Sequence, residues 1–288
     1  MNKITSVLAP AKINLGLKVL PKRQDGYHGI ESIFSTVSLC DEIIIELTNE
    51  KNVCSVKCDS LELPEINTVS SAYNGFRKVS GSDLPGVNVL IKKKIPSGGG
   101  LGGGSSDGAS FLKAFNKVSG VNLPYDQLQE IAAMVGSDVF FFLDCDESGK
   151  GSAIVTGRGE VVQTIPRRND LHYLMIFPGV HSSTKEAYSL VDEFYESGRN
   201  LEYPSLNELE DIYKGPVENW KFVNTFTSVI SKKYSKIERA ILDLKNNGAL
   251  YTDMSGSGST VFGVFASEKD VETARNALSG SWNVCSCY

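Results

Sequence analysis

Residues Pro96-Ser97-Gly98-Gly99-Gly100-Leu101-Gly102-Gly103-Gly104-Ser105-Ser106-Asp107 place six glycines in seven positions directly ahead of an amphipathic helical pattern. Glycine lets a backbone turn through positive φ and approach a ligand with no Cβ in the way. The first turn of a following helix offers unpaired N–H groups and the positive end of its dipole, so the combination is an anion site suited to phosphate. Ala109, Phe111, Leu112, Phe115 and Val118 recur at helical spacing, with Ser105 or Ser106 as candidate N-cap and Gly120 as a stop. Val87, Val89 and Ile91 alternate ahead of the loop as in a strand, so the unit is strand, glycine loop, helix. A flexible linker would not begin at a strand and end at a capped apolar helix.

Two familiar phosphate motifs fit poorly. A Walker A loop requires Gly-x-x-x-x-Gly-Lys-Ser/Thr, and no lysine lies between Gly98 and Lys113. Gly98-x-Gly100-x-x-Gly103 formally satisfies the dinucleotide fingerprint, but so many glycines make that match nearly automatic. No strand ending in an acidic ribose ligand follows at about 20 residues.

The chain of 288 residues is long enough for about two domains with real cores. A formal net charge of −5 argues against a nucleic-acid backbone as the main partner, whereas a small phosphorylated ligand needs only a local positive site. Lys92, Lys93 and Lys94 form one such cluster before the glycine loop; a solvated strand edge and a nucleotide contact are both open readings. The apolar start Val7-Leu8-Ala9 stops at Pro10, and the longest apolar run, Val139 to Leu143, covers five residues. No signal peptide and no membrane span are therefore expected, and the chain reads as cytoplasmic. Six cysteines at 40, 54, 58, 145, 285 and 287 include the pairs Cys54-x3-Cys58 and Cys285-x-Cys287, without a second pair or histidine at zinc spacing. Free thiols are expected.

Along the rest of the chain, Ile43 to Ile45 reads as a strand, Val69 to Val79 as a helix, and Tyr125 to Val135 as a helix ended by Gly136. Asp138 follows in a short break before Val139-Phe140-Phe141-Phe142-Leu143. A carboxylate in so apolar a setting must be paired or hydrogen-bonded if it is buried, so it asks for a partner. Tyr173 to Phe177 reads as a strand, Glu186 to Lys214 as surface helix and mobile connection, and Trp220 to Ile230 and Lys236 to Leu244 as helices. A second glycine-serine segment, Asp253-Met254-Ser255-Gly256-Ser257-Gly258-Ser259-Thr260, precedes the strand-like Val261 to Phe265. It reads either as a hairpin turn or as an anion-facing loop backing the first.

In Ala9-Pro10-Ala11-Lys12-Ile13-Asn14-Leu15-Gly16-Leu17, alternation puts Lys12, Asn14 and Gly16 on one face and Ile13, Leu15 and Leu17 on the other. The segment Asp25-Gly26-Tyr27-His28-Gly29 is a turn with an aromatic and imidazole pair. It is either a simple turn tip or a place where Tyr27 and His28 sandwich a flat heterocycle.

Taken in order, Ala9 to Leu17, Pro96 to Asp107 and Met254 to Phe262 resemble the three motifs of the GHMP family of small-molecule kinases. Pro-Ala-Lys-Ile-Asn-Leu, Asp-Gly-Tyr-His, the glycine loop with its Ser-Ser-Asp, and Gly-Ser-Asp-Val are similar to the members acting on 4-diphosphocytidyl-2-C-methyl-D-erythritol. The resemblance implies an α+β fold in two halves: a ribosomal-protein-S5-like N-terminal domain, residues 1–165, and a ferredoxin-like C-terminal domain, residues 166–288. The active site would lie in the cleft between them. It further implies ATP and Mg²⁺ as cofactors, that small molecule as partner, no nucleic acid or membrane partner, and a monomer or homodimer.

By the same resemblance, Lys12 and Asp138 match the catalytic pair, and Pro96, Ser97, Gly98, Gly99, Gly100, Leu101, Gly102, Gly103, Gly104, Ser105 and Ser106 the ATP-phosphate loop. Asn14, Tyr27 and His28 match the substrate contacts, and Ser106 is a candidate Mg²⁺ ligand. The chain departs from the family pattern at Phe140, where proline is usual, and at Glu218-Asn219-Trp220, a remnant of an Asn-Asp-Leu/Phe-Glu motif. Pro178-Gly179-Val180 with Ser183-Thr184 keeps the pattern Pro-x-x-x-x-Ser-Thr. The alternatives are another kinase of the family, of homoserine, galactose or mevalonate type, or an inactive nucleotide-binding relative.

Overall fold

Two long strands, β1 (Ile4–Lys22) and β2 (His28–Lys51), organise the first half of the computed structural model, which describes residues 4–288. They run antiparallel, joined by a turn that holds Asp25 and Gly26. The pairing slips between Leu15 and Leu17, so that Gly16, at φ +69°, is the extra residue of a β-bulge. The bulge overturns the expected alternation beyond Leu15. Ile13 and Leu15 stay on one face, but Leu17 is moved to the face of Lys12 and Asn14.

Next come β3 (Cys54–Cys58), α1 (Thr68–Ser80), β4 (Pro85–Lys92), α2 (Gly103–Val118), α3 (Tyr125–Val135), α4 (Asp138–Asp144), β5 (Ser152–Thr156) and β6 (Val161–Ile165). The sheet has the order β3-β4-β2-β5-β6, with β1 along the other edge of β2; only β3 and β4 are parallel. Helices α1 to α4 supply the apolar residues that cover one face: Tyr73, Phe76, Phe111, Phe115 and Phe141 are fully buried, with the Phe76 and Phe115 rings 5.1 Å apart edge-to-face. Each such ring contributes about 2–3 kcal/mol by leaving water.

The second half contains β7 (His172–Phe177), α5 (Thr184–Glu196), α6 (Leu209–Lys214), α7 (Thr225–Lys233), α8 (Ser235–Asn246), β8 (Tyr251–Met254), β9 (Val261–Phe265), α9 (Glu268–Leu278) and β10 (Asn283–Cys287). Its antiparallel sheet has the order β10-β7-β9-β8. Every residue of β9 is buried, because helices cover one face and the first half of the chain covers the other. A single apolar cluster joins Ile13, Leu15 and Ile33 of the first sheet to Tyr173, Met175, Phe262 and Val264 of the second. The face of β1 opposite Lys12 is thus glued to the second sheet, which leaves the Lys12 face at the rim of the junction.

Two local expectations are corrected. The helix expected over Trp220 to Ile230 begins only at Thr225. Trp220, Phe222 and Asn224 are buried while Lys221 is exposed, the period-2 alternation of extended chain, and the Asn224 side chain then caps α7 by accepting from Phe226 N at 2.9 Å. The N-cap of α2 is Gly102, at φ +69°, and not a serine; Ser105 and Ser106 lie inside the first turn, where they cannot cap it. No helix among the described residues is long and apolar enough to cross a membrane.

Candidate active site

Strand β1 carries Lys12 and Asn14 side by side, and both are almost wholly buried. The Lys12 Nζ donates to Asn14 Oδ1 at 2.7 Å; Asn14 Nδ2 donates to Ser32 Oγ at 3.1 Å, and Ser32 Oγ to the bulge carbonyl of Gly16 at 2.5 Å. This chain fixes the ammonium 3.6 Å from Asp138 Oδ2 and 4.4 Å over the Phe34 ring. Burial pushes the Lys12 ammonium below the ordinary lysine range, against the upward pull of Asp138. Asp138 is less enclosed than its apolar neighbours suggested. As the first residue of α4 it keeps 30% of its side chain open to the cleft, while Val139, Phe141 and Phe142 behind it enter the core. The partner it called for is Lys12.

The glycine loop lies against this pair. Gly98, Gly100 and Gly102 take φ of +73°, +77° and +69°, a region closed to most side chains. Buried Leu101 anchors the loop, and its carbonyl accepts from Lys12 N at 2.9 Å, which ties the loop directly to β1. A Cβ on Gly102 would sit 3.1 Å from both Lys12 Cγ and the Phe142 ring.

The second glycine-serine segment is a hairpin turn and also lies behind the first loop. It closes the β8–β9 hairpin, with Met254 paired to Val261, and it backs the first loop: Thr260 N donates to Gly99 O at 3.1 Å and Ser255 Oγ to Gly100 O at 2.9 Å. Asn224 holds this segment from behind, its Nδ2 donating to Met254 O at 2.7 Å and to Gly256 O at 2.9 Å. Sequence reasoning missed Asn224, whose position was assigned to a helix interior. The signal available was its alternation with Trp220 and Phe222.

Two cavities meet at the loop and share Gly98, Gly100 and Gly102. One, of about 410 Å³, is lined by Lys12, Asn14, Asp138, Arg158, His181 and Tyr188 among others. The other, of about 470 Å³, runs from Pro64 and Asn67 past Pro96, Ser97 and Gly99 to Gly103, Gly104 and Ser105. Each is of the size that holds a nucleotide-like ligand. Gly102, the N-cap of α2, lines both cavities, so the first turn of α2, which has no side-chain cap, begins at their junction.

The lysine cluster resolves into three fates. Lys92 pairs with Glu42, Lys94 is exposed, and Lys93 is drawn inward to Asp41 at 2.5 Å and Asp107 at 2.9 Å. Burial opposes the Lys93 charge, but the two carboxylates outweigh it and raise its pKa. Burial pushes Asp107 up to about 7 in spite of Lys93. Asp107 Oδ1 and the wholly buried Ser106 Oγ have no hydrogen-bond partner among the described residues.

Tyr27 and His28 do not line the first cavity themselves but pack on two residues that do, Arg158 and Tyr188. Tyr27 is 57% exposed, with the Arg158 guanidinium 4.8 Å over its ring. His28 is buried, stacks on Tyr188 at 4.9 Å and 18°, and places Nε2 2.8 Å from Asp192 Oδ1. Tyr188 and Asp192 stand one turn apart on α5, so one helix face from the second half grips a residue from the first. The ring stacked on His28 is therefore Tyr188, which sequence reasoning did not single out. Its i, i+4 spacing to Asp192 was the only local hint.

Comparison with known proteins adds to this geometry. Residues 67–145 match the model of the GHMP kinases N terminal domain, and residues 204–284 that of the GHMP kinases C terminal domain. The chain is 33% identical over 286 residues to 4-diphosphocytidyl-2-C-methyl-D-erythritol kinase of Treponema pallidum (strain Nichols), covering 97% of this chain and 96% of that protein. It is 37% identical over 266 residues to the kinase of the same description from Thermotoga maritima, covering 90% and 91%. A crystal structure of 4-(cytidine 5'-diphospho)-2C-methyl-D-erythritol kinase superposes with a TM-score of 0.78 at 27% identity, over 98% of each chain.

Proposed function

The chain belongs to the 4-diphosphocytidyl-2-C-methyl-D-erythritol kinases of the GHMP family, and from that premise we propose how its own residues carry out phosphoryl transfer. The reaction moves the γ-phosphoryl group of ATP to the 2-hydroxyl of 4-diphosphocytidyl-2-C-methyl-D-erythritol, a step of the non-mevalonate route to isoprenoid precursors. The observation that carries the reading is the Lys12–Asp138 contact of 3.6 Å at the junction of the two cavities, beside the glycine loop.

ATP occupies the cavity between Pro64 and Asp107, its phosphates on the amides of residues 97–106 at the positive end of α2. The acceptor occupies the other cavity, with Asn14, Tyr27 and His28 contacting its cytidine-diphosphate part. Asp138 accepts the proton of the attacking hydroxyl. The buried Lys12 ammonium stabilises negative charge on the attacking and transferred oxygens. Because Asn14 and Phe34 already hold that ammonium, the site is arranged before substrate arrives, and most of the rate gain comes from position and fixed charge.

The donor set fits Mg²⁺ only in a modest way. Among the described residues no three His, Cys, Asp or Glu side chains cluster to hold a metal, but the orphaned Ser106 hydroxyl and Asp107 Oδ1 are available oxygen ligands next to the loop. Those two oxygens would hold a magnesium ion beside the loop, and the ion would supply neutralisation of phosphate charge.

Phosphoryl transfer measured with 4-diphosphocytidyl-2-C-methyl-D-erythritol against homoserine, galactose and mevalonate tests the acceptor assignment. A higher kcat/KM for the cytidine compound is expected, and preference for any of the other three would overturn it. The state of Lys12 gives a second check. Turnover needs the ammonium, and a lowered pKa means that its charge is lost as pH rises through that value, so the alkaline limb of kcat should fall below the ordinary lysine value of 10.5. A profile that stays flat up to that value would rule out the charged role.

A further inference from the structure

All six cysteines are free, and two of them form a pair that phosphoryl transfer does not use. Cys285 and Cys287 alternate on β10 and so project from one face, with their sulfurs 3.7 Å apart. Strand β10 is the edge of its sheet and is held by a single ladder, to β7. Cys285 is half-buried, whereas Cys287 is 5% exposed. The hydrogen bond from Cys287 holds the Cys285 thiol down at about 7, and the same bond together with burial raises Cys287. Elsewhere burial pushes Cys54 and Cys145 up to about 12 and raises Cys40. One reachable, readily ionised thiol thus has a second, shielded thiol beside it, the arrangement of an attacking and a resolving cysteine.

We infer that Cys285 and Cys287 are a reversible modification site, a vicinal dithiol that a low-molecular-weight disulfide such as glutathione disulfide converts into a Cys285–Cys287 bridge. The Cys285 thiolate attacks one sulfur of the oxidant, forming a mixed disulfide and releasing one glutathione thiolate, which takes up a proton. Cys287 then gives its proton to solvent, attacks the Cys285 sulfur and displaces the second glutathione. Two protein thiols and one oxidised glutathione become one protein disulfide and two reduced glutathiones. The two electrons pass to the oxidant, so the exchange balances.

Proximity drives the second step. The resolving sulfur already stands 3.7 Å away, so the encounter costs little, and closure has to draw the sulfurs in to about 2.05 Å and the Cβ atoms to about 3.5–4.5 Å. Two residues of extended strand span about 6.6–6.8 Å, at the upper end of the roughly 4.4–6.8 Å between Cα atoms that a disulfide bridges. The bridge therefore pulls against the β10–β7 ladder and is easily reduced.

The test uses the full chain treated with glutathione disulfide, alkylated and digested with trypsin. Cleavage after Arg275 releases the peptide Asn276–Tyr288, which contains these two cysteines and no others. The expected product is this peptide lighter by two hydrogens, restored by dithiothreitol. In Cys287→Ser the reaction should stop at a glutathione adduct on Cys285; in Cys285→Ser neither bridge nor adduct should build up at the wild-type rate. Unchanged thermal midpoints for both serine variants confirm that each is folded. A glutathione adduct without a bridge in the wild type, a bridge at other cysteines, or equal modification of Cys287 in Cys285→Ser would each overturn the inference.

Discussion

Asp138→Asn is expected to lower kcat by roughly 10²–10⁴-fold, the range associated with losing a general base, while ATP affinity stays within about twofold of wild type. Asparagine keeps the volume of aspartate and can still meet the Lys12 ammonium, but it cannot take a proton from the substrate hydroxyl. The carboxylate stands at the start of α4, in the cavity proposed for the acceptor, whereas the cavity proposed for the nucleotide is built from the start of α1, the loop and α2. Base function and nucleotide binding should therefore separate. The same variant should move the alkaline limb to lower pH. Burial already depresses Lys12, and removing the opposing carboxylate leaves that effect uncompensated. Steady-state kinetics with both substrates varied, together with ATP titration calorimetry, check both parts. A variant retaining more than about a tenth of wild-type kcat would remove Asp138 from the role of base.

Gly100→Ala should be the most damaging of the glycine-to-alanine changes, since it makes the shortest contact of any glycine position. A Cβ at this position would lie 2.0 Å from Ser255 O and 2.9 Å from Ser255 C, backbone atoms that move only if the second glycine-serine segment moves. The φ of +77° adds a left-handed strain of about 1–2 kcal/mol for any L side chain, and overpacking adds about 1–3 kcal/mol more. The expected result is a thermal midpoint lower by roughly 5–10 °C and a KM for ATP raised at least about tenfold, because the phosphate loop cannot rest on its backing. Gly104→Ala is the control for stability. A Cβ there meets only Thr68 atoms at 3.7 and 3.9 Å, inside a helix where alanine is favoured by up to about 1 kcal/mol, so its midpoint should not fall. Equal midpoints for the two variants would show that the loops do not depend on each other as described.

Local chemistry made much of this protein legible. The strand, glycine loop and helix from 85 to 118 were readable because each element rests on spacing within about a dozen residues, and the boundaries of α1, α3 and α8 followed from apolar periodicity. The requirement that Asp138 have a partner was also readable, from the cost of an unpaired carboxylate among Val139 and three phenylalanines. That α2 is capped by Gly102 rather than by a serine was not. A serine cap would have consumed the amides that the loop leaves free.

Other features depended on atoms far apart in the chain. Leu17 changes face because the β1–β2 register slips at Gly16, and a register is a property of two strands together. Lys93 is drawn inward by Asp41, 52 residues away, and Asn224 is extended and buried because it must reach Met254 and Gly256. His28 finds its carboxylate 164 residues later.

By itself, then, the order of residues determined which groups exist and how each short stretch bends: a glycine loop between a strand and a helix, an ammonium on a strand, a carboxylate in a break before an apolar run. Only the packing of β1, α2 and α4 decided that these meet, with Lys12 N on Leu101 O and Gly102 held between Lys12 and Phe142, and the second sheet, joined through Ile13, Leu15 and Phe262, adds the facing wall of the cleft. The reason is physical. Propensity and periodicity act over a few residues, whereas a 3.6 Å contact between Lys12 and Asp138 spans 126 positions and exists only when the whole core has closed.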